Sequence, residues 1–191
     1  MIDCYAQHHS DCLLETANDL TSQIKVANFH KKGAAPMNIS ETNYSSGFLD
    51  QLASIVGRNA VISEEADTEK YLIDQRRAYK GKTIAVVRPA NTNEVSKIVA
   101  LCAKNSTPIV PQGGNTGLCG GATPDETGDS LVINLSRMNN IREIDARNYT
   151  ITVDAGVILK NIQKAASKAD RLFPLSLGAE GSCQIGGNLS T

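Results

Sequence analysis

The sequence VPQGGNTGLCGG at residues 110–121 has five glycines and no charged side chain. It overlaps PIVP at residues 108–111, a short apolar run that predicts a β-strand, so the glycines begin where this strand ends. Glycines can take positive φ, which lets consecutive backbone N–H groups converge on an anion. Those of this loop are Gly113, Gly114, Gly117, Gly120 and Gly121. Asn115 and Thr116 add side-chain donors. Taken alone, the loop is either a phosphate-binding loop or a flexible glycine turn.

The absence of lysine limits the phosphate chemistry of this loop. No charged residue lies between Lys104 and Asp125. Enzymes that cleave a γ-phosphate use a lysine and a magnesium-binding hydroxyl in G-x-x-x-x-G-K-[ST], and that motif does not occur. The pattern therefore favours a diphosphate cofactor that is held rather than a phosphate that is cleaved.

A second glycine segment, LGAEGSCQIGGN at residues 177–188, strengthens the phosphate-binding interpretation. Ser182 and Asn188 supply side-chain donors, and the segment follows an apolar run at residues 172–175 that predicts a strand. Its glycines are Gly178, Gly181, Gly186 and Gly187. Two such loops after two separate strands can enclose one long ligand from two sides.

The surrounding sequence predicts a mixture of helices and strands. Helices are expected from Ser45 or Ser46 to a left-handed Gly57, over residues 68–74, after an Asn91–Glu94 capping box, and over residues 158–169. Strands are expected at residues 83–89, 108–111 and 130–136, and a hairpin turns at Arg147 and Asn148. The first two strands and their helix form a βαβ unit. The fold class is therefore α+β.

Composition excludes several functional classes. A formal net charge of -1 over 191 residues provides no basic field for nucleic acid. The apolar runs are too short to span a bilayer. Five widely spaced cysteines, Cys4, Cys12, Cys102, Cys119 and Cys183, without C-x-x-C, indicate reduced thiols and a cytoplasmic protein, or a mitochondrial one if the source is eukaryotic.

The two ends of the sequence predict the domain organisation. Residues 1–36 contain all three histidines and weak periodicity, so we expect a leader or tail, with Met37 as the natural start. We expect a helical N-terminal segment at residues 37–80 and a cofactor-binding domain at residues 81–191. The sequence stops at GGNLST, which predicts that the chain is the N-terminal part of a longer protein.

The motif pair PQGGNTGLCGG and GAEGSCQIGGN resembles the PCMH-type FAD-binding domain of the vanillyl-alcohol oxidase family. Within this family the sequence is similar to the branch of D-2-hydroxyglutarate dehydrogenases, D-lactate dehydrogenases and glycolate oxidase flavoprotein subunits. The resemblance extends from about Leu72 to Thr191 and includes VVRPANTNEVSKIV. It implies an FAD-binding domain of two α+β lobes with the cofactor stretched between them.

The resemblance also implies the residues that bind FAD. They are Gln112, Gly113, Gly114, Asn115, Thr116, Gly117, Gly121, Ala122, Gly178, Gly181, Ser182, Ile185, Gly186 and Asn188. No histidine stands in the first loop where covalent members attach flavin, so non-covalent FAD is expected, and Cys119 is interpreted as a small apolar filler. We expect Gly114→Val to lose FAD while the fold is retained.

A third stretch carries part of a substrate signature. The dehydrogenase branch reads D-W-R-G-R-Y-x-G, and this chain matches it at Asp74, Arg76, Tyr79 and Gly81. Arg76 is a candidate for binding a substrate carboxylate. The alternative is a surface arginine that pairs with Glu64 or Glu65.

The implied function of the full protein is oxidation of a D-2-hydroxy acid by hydride transfer to FAD, with an electron acceptor as second partner. We expect no catalytic residue and no metal ligand within this chain, because the similarity places the base and any divalent metal beyond Thr191. Two alternatives stay open: a truncated, non-catalytic flavin- or nucleotide-binding module, and an FAD subunit of an electron-transfer complex. The sequence also leaves a homodimer open.

Overall fold

The computed structural model describes residues 46–190. The expected leader at residues 1–36, the start at Met37 and the alternative cap at Ser45 lie outside them. The helices are α1 (Ser46–Val56), α2 (Glu65–Leu72), α3 (Thr92–Lys104), α4 (Leu159–Lys168) and α5 (Ile185–Leu189), with a 3₁₀ turn at Arg58–Ala60. The strands are β1 (Val61–Ile62), β2 (Ala85–Val87), β3 (Ile109–Gln112), β4 (Leu131–Asn134), β5 (Ile141–Asp145) and β6 (Thr150–Val153).

The larger sheet has the strand order β1-β2-β4-β3. Strands β2, β4 and β3 run parallel, and β1 is antiparallel to β2. The predicted βαβ unit exists, but β4 lies between its two strands, so β2 and β3 are not neighbours. Because the three strands are parallel, the chain leaves β2, β3 and β4 at the same edge of the sheet, where ligands of such sheets bind.

One hydrophobic core joins this sheet to α1 and α3. Strands β2 and β4 are buried along their whole length, which explains their uninterrupted apolar sequence. The helices contribute Phe48, Leu52, Val56, Ile98 and Cys102 to the same cluster. Residues of the predicted N-terminal segment therefore pack into the core of the predicted cofactor-binding domain.

Local signals set the ends of α1 and α3. The Asn91 side chain accepts a hydrogen bond from the Glu94 backbone N–H at 2.9 Å, which confirms the predicted cap. The Glu94 carboxylate accepts from the Ala90 N–H at 2.7 Å, one residue before the expected partner. After α1, Gly57 has the predicted positive φ of 84°, but its ψ of 146° is extended and lies outside the left-handed helical region.

The hairpin of β5 and β6 belongs to a second hydrophobic cluster. Ile144 pairs with Ile151, and the Asp145 carboxylate accepts from the N–H groups of Arg147 and Asn148, which confirms the predicted turn. Ile162 of α4 is fully buried in this cluster. The two clusters account for the α+β fold.

Two expectations near the end of the chain are wrong. Residues 172–175 form no strand, and Leu172 is 85% exposed. Pro174 has no N–H to donate, and the Leu175 carbonyl instead accepts from the Gln163 side chain at 2.8 Å. The short helix α5 lies within IGGNL, where no helix was predicted, because glycine disfavours helices.

Candidate functional site

Gln112, the last residue of β3, holds the first glycine loop (residues 113–122) in place. Its side chain is 2% exposed and donates to the carbonyl oxygens of Tyr71 at 2.8 Å and Ala122 at 2.9 Å. The Asn134 amide donates to the Gln112 side-chain oxygen at 3.2 Å and to the Gly113 carbonyl at 3.0 Å. Because both ends of the Gln112 amide have protein partners, its role in this geometry is to position the loop.

The backbone N–H groups of this loop are unused. Within residues 46–190, no N–H from Gly113 to Ala122 donates to a protein acceptor. The predicted positive φ occurs at only one loop glycine, Gly120 at 73°, while Asn115 takes a φ of 53°. The other four loop glycines do not use this freedom, and the positive φ at Asn115 supplies a reversal of the chain. A run of free donors with such a reversal is suited to an anion.

Of the two predicted side-chain donors in this loop, one already has a protein acceptor and the other has none within residues 46–190. Asn115 donates through Nδ2 to the Ile73 carbonyl at 2.8 Å, so its amide ties the loop to the residue after α2. The Thr116 hydroxyl is half-buried and has no hydrogen-bond partner in the described part of the chain. Thr116 therefore remains available to a ligand.

The structure brings the second glycine segment (residues 177–188) against the first loop. A Cβ atom at Gly114 would overlap the Ser182 carbonyl group, and one at Gly113 would lie 3.3 Å from the Gln184 side-chain oxygen. The two segments are thus in direct contact, as the predicted site requires. The expectation that Gly114→Val keeps the fold is wrong, because its side chain would collide with backbone of the second segment.

The second segment supplies fewer free donors than predicted. The N–H groups of Ser182, Ile185, Gly186 and Asn188 already donate to carbonyl oxygens, those of Ala179, Val157, Ala155 and Gln184 respectively. A Cβ at Gly186 would lie 2.8 Å from that of Ala155, so this glycine serves packing. Within residues 46–190, the N–H groups of this segment that donate to no protein acceptor include those of Gly178 and Gly181, so the longer run of free amides belongs to the first loop.

Other features of the site fit a bound nucleotide. A Cβ atom at any of several glycines would meet nothing within 4 Å, so the backbone there is open to a ligand: Gly117, Gly121, Gly178, Gly181 and Gly187. Two buried side-chain oxygens, Gln184 Oε1 and Asn188 Oδ1, have no hydrogen-bond partner among residues 46–190. Buried polar atoms without partners are rare in folded proteins and call for a ligand or water. Gln184 is not among the FAD-binding residues predicted from the sequence, although it lies within the motif GAEGSCQIGGN.

A family model described as an FAD binding domain matches residues 83–191. This match covers more than half of the chain and includes both glycine segments. The chain belongs to the PCMH-type FAD-binding family.

Curated relatives of this FAD-binding domain are dehydrogenases and an oxidase subunit. The chain is 40% identical over 145 residues to a putative mitochondrial D-lactate dehydrogenase of Schizosaccharomyces pombe, covering 72% of the chain and 27% of the relative. It is 33% identical over 183 residues to the mitochondrial D-2-hydroxyglutarate dehydrogenase of Arabidopsis thaliana, covering 96% and 32% respectively. Glycolate oxidase subunit GlcD of Bacillus subtilis is 36% identical over 74% of the chain and 30% of the relative. The chain thus spans about a third or less of these relatives.

Solved structures show the same fold. An alkyldihydroxyacetonephosphate synthase matches 92% of the chain and 36% of its own with a TM-score of 0.71 and 17% identity. A p-cresol methylhydroxylase matches 75% and 28% respectively, with a TM-score of 0.61 and 21% identity. These neighbours agree with the PCMH-type α+β architecture.

The Asp74–Gly81 signature of this FAD-binding domain is a structural turn. The buried Asp74 carboxylate accepts from the N–H of Tyr79 at 2.7 Å and of Arg76 at 3.1 Å. The Tyr79 hydrogen bond is the main cause that lowers the pKa of Asp74. Tyr79 places its ring against Gly120, where a Cβ would lie 2.7 Å from the ring. Asp74 and Tyr79 thus hold the turn and its contact with the first loop, and a third matched residue, Gly81, donates its N–H to the Leu72 carbonyl at 2.9 Å.

Arg76 is exposed and forms no ion pair with Glu64 or Glu65 within residues 46–190. A cleft of about 490 Å³ lies between this turn and the first loop, and it is lined by Arg77 rather than Arg76. In the same part of the chain, no cluster of three metal-ligating side chains and no helix long and apolar enough to cross a membrane occur.

Proposed function

We propose that the chain binds FAD non-covalently as part of an oxidoreductase that oxidises a D-2-hydroxy acid of the D-2-hydroxyglutarate, D-lactate or glycolate class. The observation that carries the proposal is the run of unused N–H groups from Gly113 to Ala122, packed against the second glycine segment. Bound FAD supplies a two-electron acceptor for such a substrate.

The residues of this chain would hold the cofactor rather than carry out proton transfer. Free amides of the first loop would donate to the FAD diphosphate, and the Thr116 hydroxyl would add one further donor. The buried side-chain oxygens of Gln184 and Asn188 in the second segment would accept hydrogen bonds from the cofactor. Gln112 and Asn134 keep the first loop in its binding conformation.

The substrate class rests on the relatives, which include a putative D-lactate dehydrogenase, a D-2-hydroxyglutarate dehydrogenase and a glycolate oxidase subunit. Arg76 remains the candidate for a substrate carboxylate, since its guanidinium has no protein partner in the described part. The two first relatives are named as mitochondrial, so we propose that compartment if the protein is eukaryotic.

Flavin absorbance tests this proposal directly. The natural protein is purified, and its oxidised flavin spectrum is followed anaerobically after addition of D-lactate, D-2-hydroxyglutarate or glycolate. We expect bleaching with at least one of them, and the L-enantiomers of the two chiral acids are the matched controls. Acid precipitation should release FAD into the supernatant. A colourless protein that stays colourless after FAD addition would contradict the proposal, and flavin that stays with the pellet would contradict non-covalent binding.

A further inference from the structure

Three arginines surround a second cleft of about 490 Å³ at the carboxyl edge of the parallel strands. Arg88 follows β2, Arg137 follows β4, and Arg58 begins the 3₁₀ turn after α1. The remaining lining residues lie at the end of α1 and in the 3₁₀ turn that follows it: Val56, Gly57, Asn59 and Ala60. This cleft shares no lining residue with either glycine segment.

Two of these arginines use part of their hydrogen-bonding capacity on the protein. Arg137 donates through Nη1 to the carbonyl oxygens of Arg88 at 2.7 Å and Val56 at 3.4 Å. Arg88 donates through Nη2 to the Asn59 carbonyl at 3.2 Å. These bonds satisfy one carbonyl group at the end of α1, one in the 3₁₀ turn and one directly after β2.

The other N–H donors of these guanidinium groups are not accounted for by protein carbonyls. A guanidinium carries five N–H donors, and the Nε of Arg88 is buried with no partner among residues 46–190. An unpartnered buried donor is costly unless a ligand or water accepts from it. Arg88 Nε is therefore the observation that points to a ligand.

The charge balance of the cleft is positive. No acidic residue lines it. Arg58 pairs with Asp50 at 3.6 Å, but both side chains are largely exposed, so this ion pair neutralises little of the positive charge. Three guanidinium groups on one cleft attract an anion whose oxygens accept several hydrogen bonds, as phosphate does.

We propose that this arginine cleft binds the phosphoryl group of a small anionic ligand, at a site separate from the FAD site. The glycine loop and the cleft lie at the same edge of the sheet, so a phosphate of FAD itself is the competing source of the same chemistry. The experiment must therefore be performed with FAD absent and with FAD saturating.

Inorganic phosphate is the probe, titrated by calorimetry into the purified protein at constant ionic strength. We expect saturable binding whose Kd is the same with and without FAD. Arg58→Gln should weaken binding about tenfold, the loss expected for one charge-assisted interaction. Arg88→Lys keeps the charge but lacks the Nε donor and should also weaken binding. Arg147→Gln, at the exposed hairpin turn, is the control with the same charge change and should leave the Kd unchanged.

Three results would overturn the proposal. The first is no saturable binding of phosphate, and the second is an equal weakening in Arg58→Gln and Arg147→Gln, which would indicate a diffuse charge effect. The third is complete loss of phosphate binding when FAD is saturating, which would assign the cleft to the cofactor. The Arg58 side chain is 85% exposed, so the melting temperature of Arg58→Gln should match that of the unmodified protein. FAD binding itself is measured in the same samples, so failure of the FAD proposal is detected separately.

Discussion

Two glycines of the first loop, Gly114 and Gly117, should respond oppositely to the same substitution by alanine. A Cβ at Gly114 would overlap the backbone carbonyl of Ser182, whereas a Cβ at Gly117 would meet nothing within 4 Å. Neither residue has positive φ, so alanine imposes no dihedral strain at either position. The difference between the two variants therefore reports the surroundings of each glycine.

The expected magnitudes follow from these surroundings. Gly114→Ala forces the two glycine segments apart and should lower the free energy of unfolding by about 3 kcal/mol, the upper end for overpacking against a rigid neighbour. Gly117→Ala should leave stability unchanged or raise it by about 0.5 kcal/mol, because alanine restricts the unfolded chain. Its methyl group blocks the approach of a diphosphate and should cost about 1.5–3 kcal/mol of FAD affinity, roughly a 10- to 150-fold increase in Kd.

Urea unfolding and quenching of FAD fluorescence measure the two quantities independently. Gly117→Ala should keep the unfolding midpoint and lose FAD affinity, while Gly114→Ala should lower the midpoint. If Gly117→Ala bound FAD as tightly as the unmodified protein, the diphosphate would not lie on the open face of this loop. If Gly114→Ala were as stable as the unmodified protein, the close approach of Ser182 would not exist in solution.

Three further predictions test the supports of the loop. Gln112→Leu should lower the free energy of unfolding by about 2–4 kcal/mol in urea, because it leaves buried partners unsatisfied, whereas Gln75→Leu at an exposed site should not. Hydrogen bonds lower the pKa of Asp74, so its contribution to stability is present at neutral pH and lost as the pH falls below about 4. The urea midpoint of Asp74→Asn should therefore fall less over that pH range than the midpoint of the unmodified protein. Peptide mapping after iodoacetamide at pH 8 should find label on exposed Cys119, slowed by FAD, and none on Cys102, whose pKa burial raises to about 11.

Elements whose signals are local could be predicted from the sequence. The cap at Asn91 depends on a residue three positions away, and the Asp145 carboxylate in the hairpin turn accepts only from Arg147 and Asn148, two and three positions on. These hydrogen bonds close within a few residues, so the local sequence pattern contains both partners of each. The same reasoning explains why α3 and the β5–β6 hairpin agree with the predictions.

Long-range pairing could not be predicted in the same way. The position of β4 between β2 and β3 depends on which strand pairs bury the most surface, and no local sequence motif determines this strand order. The run at residues 172–175 is apolar enough for a strand, yet no partner strand is available to it, and Pro174 removes one ladder donor. An apolar run predicts burial or pairing only where the fold supplies a neighbour.

In the candidate site, too, the sequence does not distinguish glycines that contact another part of the chain from glycines that are open. The sequence treats Gly113, Gly114 and Gly117 alike, but the structure gives the first two a neighbouring chain and leaves the third open. Glycine permits close approach by any backbone, whether a ligand or the protein itself provides the neighbouring atoms. Only the meeting of residues 113–114 with residues 182–184, some seventy positions apart in the chain, separates these cases. The motif therefore locates the two segments, and the contact between them decides which of its glycines are left open.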